Sequence, residues 1–298
     1  MKKAMFMTPV VSALDKNGNY DVEANKEIWD FLIKGGVDGI AILGSIGEFP
    51  GMPISTKKKI VDIAQSHINN RVKLYVGTGS MTIEETVELS NYAVEKGVDG
   101  VMVISPYYFS LSNTEIEYYY KKVLEQINGN VMLYNYPERT GYDLTPEITV
   151  KLLRKYKKII GYKDSVAEMG HTRKVISTTN EEFPDFFVLS GFDENCVHNV
   201  MCGGGGAMGG LSNICPNICS AWVKAINNKD FDEVARIQKI IDKLMDIYTV
   251  GGPFIPVMKK AMMLLGLPLT DCCVKPIIEV DEEKTNKIKS ILKEVSLI

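Results

Sequence analysis

The amino-acid sequence predicts an α/β fold, a (β/α)8 TIM barrel followed by a C-terminal helical extension, and three observations carry that expectation. Eight short apolar runs recur along the chain, segments of helical period separate them, and one turn motif is repeated. The runs are Ala4 to Val10, Gly39 to Gly44, Lys73 to Gly79, Gly100 to Pro106, Val131 to Pro137, Ile159 to Asp164, Phe186 to Asp193 and Gly206 to Asn213. Each is nearly continuous in apolar residues, as expected of parallel strands covered on both faces. The repeat is Gly36-Val37-Asp38-Gly39-Ile40, which returns as Gly97-Val98-Asp99-Gly100-Val101 two βα units later. Strand and helix in strict alternation imply right-handed crossovers and a parallel sheet. Eight units in this order fit a closed barrel, which leaves no sheet edge exposed.

The helices follow in order. Val22 to Lys34 places Ile28, Phe31 and Leu32 at helical spacing. Thr82 to Lys96 opens with Thr82 and Glu85 at capping-box spacing and stops at Gly97. Asn113 to Ile127 and Thr145 to Tyr156 fill the next crossovers. Beyond Asn213 the pattern is wholly helical, with Ile218 to Asn227, Phe231 to Tyr248, Pro253 to Leu265 and Asp281 to Ser296. The first serves as the eighth barrel helix. Residues 1–225 are therefore assigned to the barrel and 226–298 to an extension packed on it, without a Pro/Ser-rich linker between them.

Composition narrows the function. The 298 residues are 45% hydrophobic with a formal net charge of -3, and acidic and basic residues are mixed along the chain. That is no footprint for a nucleic-acid or polyanion binder. No apolar stretch approaches a membrane span, and the run after Met1-Lys2-Lys3 is too short for a signal peptide. A cytoplasmic protein with reduced thiols is expected. Cys196, Cys202, Cys215, Cys219, Cys272 and Cys273 lack zinc-site spacing, and no metal is expected.

In such a barrel the chemistry sits at the C-terminal strand ends. Strand two ends in Gly44-Ser45-Ile46-Gly47-Glu48, strand four in Ser105-Pro106-Tyr107-Tyr108, strand five in Tyr134-Asn135-Tyr136-Pro137-Glu138-Arg139-Thr140-Gly141, and strand six in Gly161-Tyr162-Lys163-Asp164-Ser165. Lys163 stands out on an apolar strand. Burial would lower its pKa and free an amine able to attack a ketone. Taken alone, a lysine snorkelling from the barrel mouth, or paired with Asp164, is the commoner arrangement. Tyr134 fits either packing or proton transfer, with Ser45 and Tyr108 as relay hydroxyls. Gly44 and Gly47 flank a turn whose backbone N–H groups can approach a carboxylate. His67, His171 and His198 fall in helices or helix ends and receive no catalytic role.

These motifs, in this order and spacing, resemble the dihydrodipicolinate synthase/N-acetylneuraminate lyase family over nearly the whole chain. The resemblance implies a Schiff base between Lys163 and pyruvate or a related 2-keto acid, with Tyr134 as general acid/base and Ser45 and Tyr108 as relay. It implies that the Ser45-Ile46-Gly47 turn holds the keto-acid carboxylate and that Met208 lines its pocket. It also implies a homotetramer, a dimer of dimers in which Tyr108 crosses to a neighbouring subunit, and no cofactor beyond the covalent imine. The substrates are then a 2-keto acid and an aldehyde. Arg139 matches a carboxylate-binding arginine of the synthases and favours a synthase reading with aspartate semialdehyde. Ile46 stands where synthases carry threonine. Phe49 after Glu48, with Thr140-Gly141-Tyr142-Asp143-Leu144, is similar to the 2-keto-3-deoxy sugar-acid aldolases. A catalytically inactive 2-keto-acid-binding paralogue is the reading from another class.

Overall fold

A computed structural model describes residues 2–298. Its centre is a closed barrel of eight parallel strands in sequence order. They are β1 (Met5–Pro9), β2 (Gly39–Ile42), β3 (Lys73–Gly77), β4 (Gly100–Ile104), β5 (Val131–Asn135), β6 (Ile159–Asp164), β7 (Phe187–Ser190) and β8 (Gly206–Met208). The ring closes where Met5 pairs with Gly206 and Met7 with Met208. Polar side chains reinforce that seam. Asn213 donates to Pro9 O at 2.9 Å and accepts from Val11 N at 3.2 Å. Asn227 grips both backbone groups of Ala4, at 2.8 and 3.0 Å. All eight expected strands are present, and the fold class is the expected one.

Helices cover the barrel: α1 (Val22–Gly35), α2 (Ile54–Ile68), α3 (Ile83–Glu95), α4 (Asn113–Gln126), the short α5 (Pro137–Thr140), α6 (Pro146–Lys155), α7 (Met169–Asn180), the short α8 (Cys196–Met201) and α9 (Pro216–Asn228). The repeated motif begins at equivalent bends, since Gly36 and Gly97 both adopt φ of 84°, a left-handed backbone that glycine takes without strain. The Thr82 cap is half of the expected box. Its hydroxyl accepts from Glu85 N at 3.3 Å, but the Glu85 carboxylate turns to the Ser80 hydroxyl. The complete capping box is at α4, where Ser112 and Glu115 bond reciprocally.

The extension comprises α10 (Phe231–Leu244), α11 (Ile255–Leu264) and α12 (Glu282–Glu294). α10 packs on α9, and α11 packs on α12. The expected boundary at residue 225 falls within α9 rather than between elements. Among the described residues no helix is long and apolar enough to cross a membrane. All six cysteines carry free thiols.

One close approach between strands shapes the mouth. Leu43, just after β2, has φ of 55°, which turns its carbonyl towards Gly77. A Cβ at Gly77 would stand 2.1 Å from that oxygen. Gly77→Ala is therefore expected to cost about 2–3 kcal/mol in a urea melt, because backbone has to move. Gly170→Ala meets nothing within 4 Å and lies in α7; as the control it gains up to about 1 kcal/mol from helix propensity. Equal melts for the two variants would contradict this account.

Candidate active site

The side chains of β5 and β6 alternate between the barrel mouth and the helical layer, and this alternation sorts the candidates. Tyr134 and Lys163 are paired in register, as are Asn135 and Asp164. Tyr134 and Lys163 line one cavity of 340 Å³ at the C-terminal strand ends. The Lys163 ammonium lies 4.4 Å from the centroid of the Tyr134 ring. Lys163 is only 5% exposed. Among the described residues no carboxylate forms an ion pair with it, so the expected alternative of pairing with Asp164 is not what the chain does. Burial lowers its pKa to about 8, with the charge of Asp193 pulling the other way.

Tyr134 is equally enclosed, and its hydroxyl lies 3.2 Å from Ser45 Oγ. Burial pushes the phenol above its usual range, while Ser45, Ser165 and the positive charge of Arg139 pull it down. The phenol therefore stays protonated at neutral pH and has an oxygen partner through which to pass a proton. Ile46 and Met208 line the same cavity. Gly47 does not. Its N–H is used on Gly44 O at 3.0 Å, and its carbonyl accepts from Ser12 Oγ at 2.9 Å. Both backbone groups of Gly47 are therefore engaged within the protein, where they shape the turn. The Ser45 and Ile46 N–H groups have no protein acceptor among the described residues, so they are left to a ligand.

Arg139 stands at the rim on α5, with its guanidinium 5.5 Å from the Tyr136 ring. Tyr108 is not brought to this cavity in the single chain. It is 85% exposed and packs edge-on against Phe109.

Two titratable residues enter the cavity that strand ends two, four, five and six did not suggest, Asp193 and Tyr248, and Ser165 of strand end six joins them. Asp193 follows β7, and the strand-end rule applied there would have found it. Burial pushes its carboxyl up to about 7, against the Leu211 N–H at 3.0 Å and the Tyr248 hydroxyl at 3.1 Å. Among the described residues no group of three His, Cys, Asp or Glu side chains is arranged to hold a metal.

On the outer face of the same strands a second network holds the site in place. Asn135 donates to Asp164 at 3.0 Å and Asp143 at 2.7 Å, and accepts from Leu144 N at 2.9 Å. His171 bridges the two carboxylates, Nδ1 to Asp164 at 2.8 Å and Nε2 to Asp143 at 2.9 Å. Thr172 adds a bond to Asp164 at 2.6 Å. Sequence reasoning gave His171 no catalytic role, and here it is a clamp behind the strands.

Comparison with known proteins follows the same lines. The sequence profile of the Dihydrodipicolinate synthetase family matches residues 2–295. The probable 2-dehydro-3-deoxy-D-pentonate aldolase YjhH of Escherichia coli is 33% identical over 98% of this chain and 97% of its own. A 4-hydroxy-tetrahydrodipicolinate synthase of Methanococcus aeolicus is 32% identical over 97% of this chain and 98% of its own. The crystal structure of Escherichia coli YagE in complex with pyruvate superposes with a TM-score of 0.96 at 33% identity, covering 99% of each chain.

The His171 clamp has a pH signature. Burial opposes its charge, but the bonds to Asp143 and Asp164 prevail and raise its pKa to about 10 from an unfolded 6.5. A raised folded value means that stabilisation is complete below about 6.5 and is lost as pH rises towards about 10. In denaturant melts, the stability gap between wild type and His171→Asn should be widest near the acid end of that window and shrink as pH rises. A gap that stays constant throughout would show that His171 is neutral.

Proposed function

The chain belongs to the dihydrodipicolinate synthetase family, and from that premise we propose that Lys163 forms the imine with pyruvate and that the aldehyde partner is a polyhydroxylated one, making the protein a 2-keto-3-deoxy sugar-acid aldolase. The class is a Schiff-base lyase or aldolase that needs no external cofactor. The observation that carries the assignment of Lys163 is its buried amine, without an ion-pair partner among the described residues, over the ring of Tyr134, whose hydroxyl is bonded to Ser45.

The steps follow from these groups. The neutral amine adds to the keto carbon, and the resulting carbinolamine loses water as Tyr134 and Ser45 pass a proton to the departing hydroxyl. The keto-acid carboxylate lies against the Ser45 and Ile46 N–H groups. In the cleavage direction Tyr134, deprotonated by the preceding dehydration, takes the proton of the hydroxyl beside the breaking carbon–carbon bond while the iminium draws that bond's electrons, releasing the aldehyde and leaving an enamine on Lys163. Protonation of the enamine and hydrolysis return the amine and pyruvate. Condensation is the reverse.

The far side of the cavity supports the aldehyde class. Asp193, Glu138, Tyr136 and Tyr248 offer acceptors and hydroxyls to a chain of alcohols, beside Phe192 and Phe254. YjhH is named for a sugar-acid substrate of this kind, and YagE is named a putative 2-dehydro-3-deoxy-D-gluconate aldolase. Arg139 favours a second reading, condensation with aspartate semialdehyde as in the synthases, because its guanidinium suits a second carboxylate. The inactive-paralogue reading has less support, since amine, phenol and hydroxyl stand together in one cavity. The exposure of Tyr108 supports its crossing to a neighbouring subunit in a tetramer built as a dimer of dimers.

Three measurements test this. Borohydride reduction with pyruvate should add mass to Lys163 alone, and the trapping rate should rise with pH through about 8, since deprotonation frees the amine. At pH 7 about one amine in ten is then neutral, against fewer than about one in a thousand for an ordinary lysine. Release of pyruvate from 2-keto-3-deoxygluconate and 2-keto-3-deoxypentonate should exceed turnover of aspartate semialdehyde. The reverse preference, abolished by Arg139→Ala, would select the synthase reading. Tyr108→Phe should lower turnover while trapping continues; unchanged turnover would remove Tyr108 from the relay.

A further inference from the structure

The turn that carries Ser45 and Ile46 is bracketed by two non-glycine residues in left-handed backbone, Leu43 (φ 55°) and Glu48 (φ 61°). Such residues hold that conformation only when their surroundings impose it. For Leu43 the surrounding is the bare face of Gly77. For Glu48 it is a charge. Lys259 Nζ donates to one carboxylate oxygen at 2.5 Å, and Val274 N–H donates to the other at 2.6 Å. The same ammonium donates to Cys272 O at 2.7 Å. Lys259 is 0% exposed and Glu48 2%, and the pair links α11 of the extension to the end of β2.

A buried ion pair adds little stability over an apolar pair of the same size, because both charges must leave water. Its particular contribution is direction. A carboxylate with a fixed donor on each oxygen does not rotate. Glu48 in turn closes the turn, its N–H donating to Ser45 O at 3.1 Å. Lys259 itself does not line the cavity that holds Lys163.

We propose that Lys259 is a positioning residue for keto-acid binding: acting through Glu48, it holds the Ser45–Ile46 turn with its free N–H groups facing the bound carboxylate. The inference rests on the Schiff-base reading above, with pyruvate as the keto acid. It makes the helical extension part of the binding apparatus, although none of its contacts at this point touches the substrate.

The experiment is pyruvate-dependent borohydride trapping on the full-length protein, read as a half-saturating concentration and a limiting rate. Wild type comes first. No adduct on Lys163 ends the Schiff-base reading and this proposal with it, whereas an adduct leaves the variants to decide the proposal alone. Lys259→Met should raise half-saturating pyruvate about tenfold with the limiting rate within about twofold of wild type, since only ground-state alignment is lost. Lys260→Met, which breaks a neighbouring ion pair to Asp271, should leave both unchanged. If removal of Lys259 alone prevents folding, Glu48→Gln combined with Lys259→Met leaves no unpaired charge and reads the same two quantities. Wild-type half-saturation in a folded variant lacking Lys259, or an equal rise in Lys260→Met, overturns the proposal.

Discussion

An amine paired with a carboxylate holds its proton, and the strands at this barrel mouth keep Lys163 from such a pairing. Among the described residues no carboxylate lies in ion-pair range of Lys163 at the barrel mouth, so desolvation outweighs the pull of Asp193. Asp164, its neighbour in the chain, projects through the opposite face of the sheet. The two-residue period of the strand keeps them apart, and a slip of one residue in register would exchange them. Every other support described here maintains that register or the geometry around it.

Those supports are polar and lie where apolar packing alone would suffice for stability. Behind β5 and β6, Asn135, Asp143, Asp164, His171 and Thr172 satisfy one another almost completely. Beside β2, Glu48 is pinned by Lys259. Networks of this kind are costly when incomplete and rigid when complete, and here they brace the strand ends that carry Lys163, Tyr134 and Ser45.

Much of this was legible in the sequence, and the rest was hidden for identifiable reasons. The strands were visible because both faces of each are buried, leaving apolar runs that polar loops interrupt. Their apolar runs extend two residues past the strands at Pro106 and Pro137, because Ser105 and Tyr136, between the last strand residue and each proline, have already left the ladder. Helices with a side-chain cap, at Asp21, Thr82, Ser112 and Thr145, were delimited closely. Those entered from Pro53, Glu168 and Asn195 have no such cap and were not delimited. Lys163, Tyr134 and Ser45 share one cavity because all three lie at strand ends, and Asp193, which lines it too, obeys the same rule. The Lys259–Glu48 pair and the His171 clamp depend on contacts between distant segments, and local pattern does not encode them.

The cavity that encloses Lys163 also draws on two separate stretches of chain. Ser45, Tyr134 and Lys163 come from strand ends, whereas Met245, Tyr248, Pro253 and Phe254 come from the segment between α10 and α11. A substitution in the second group changes the shape of the cavity without displacing Lys163, Tyr134 or Ser45. Substrate preference can therefore drift in evolution while bond making and breaking are conserved. A single scaffold of this design is thus a natural ancestor for enzymes that share one intermediate and differ in what they add to it.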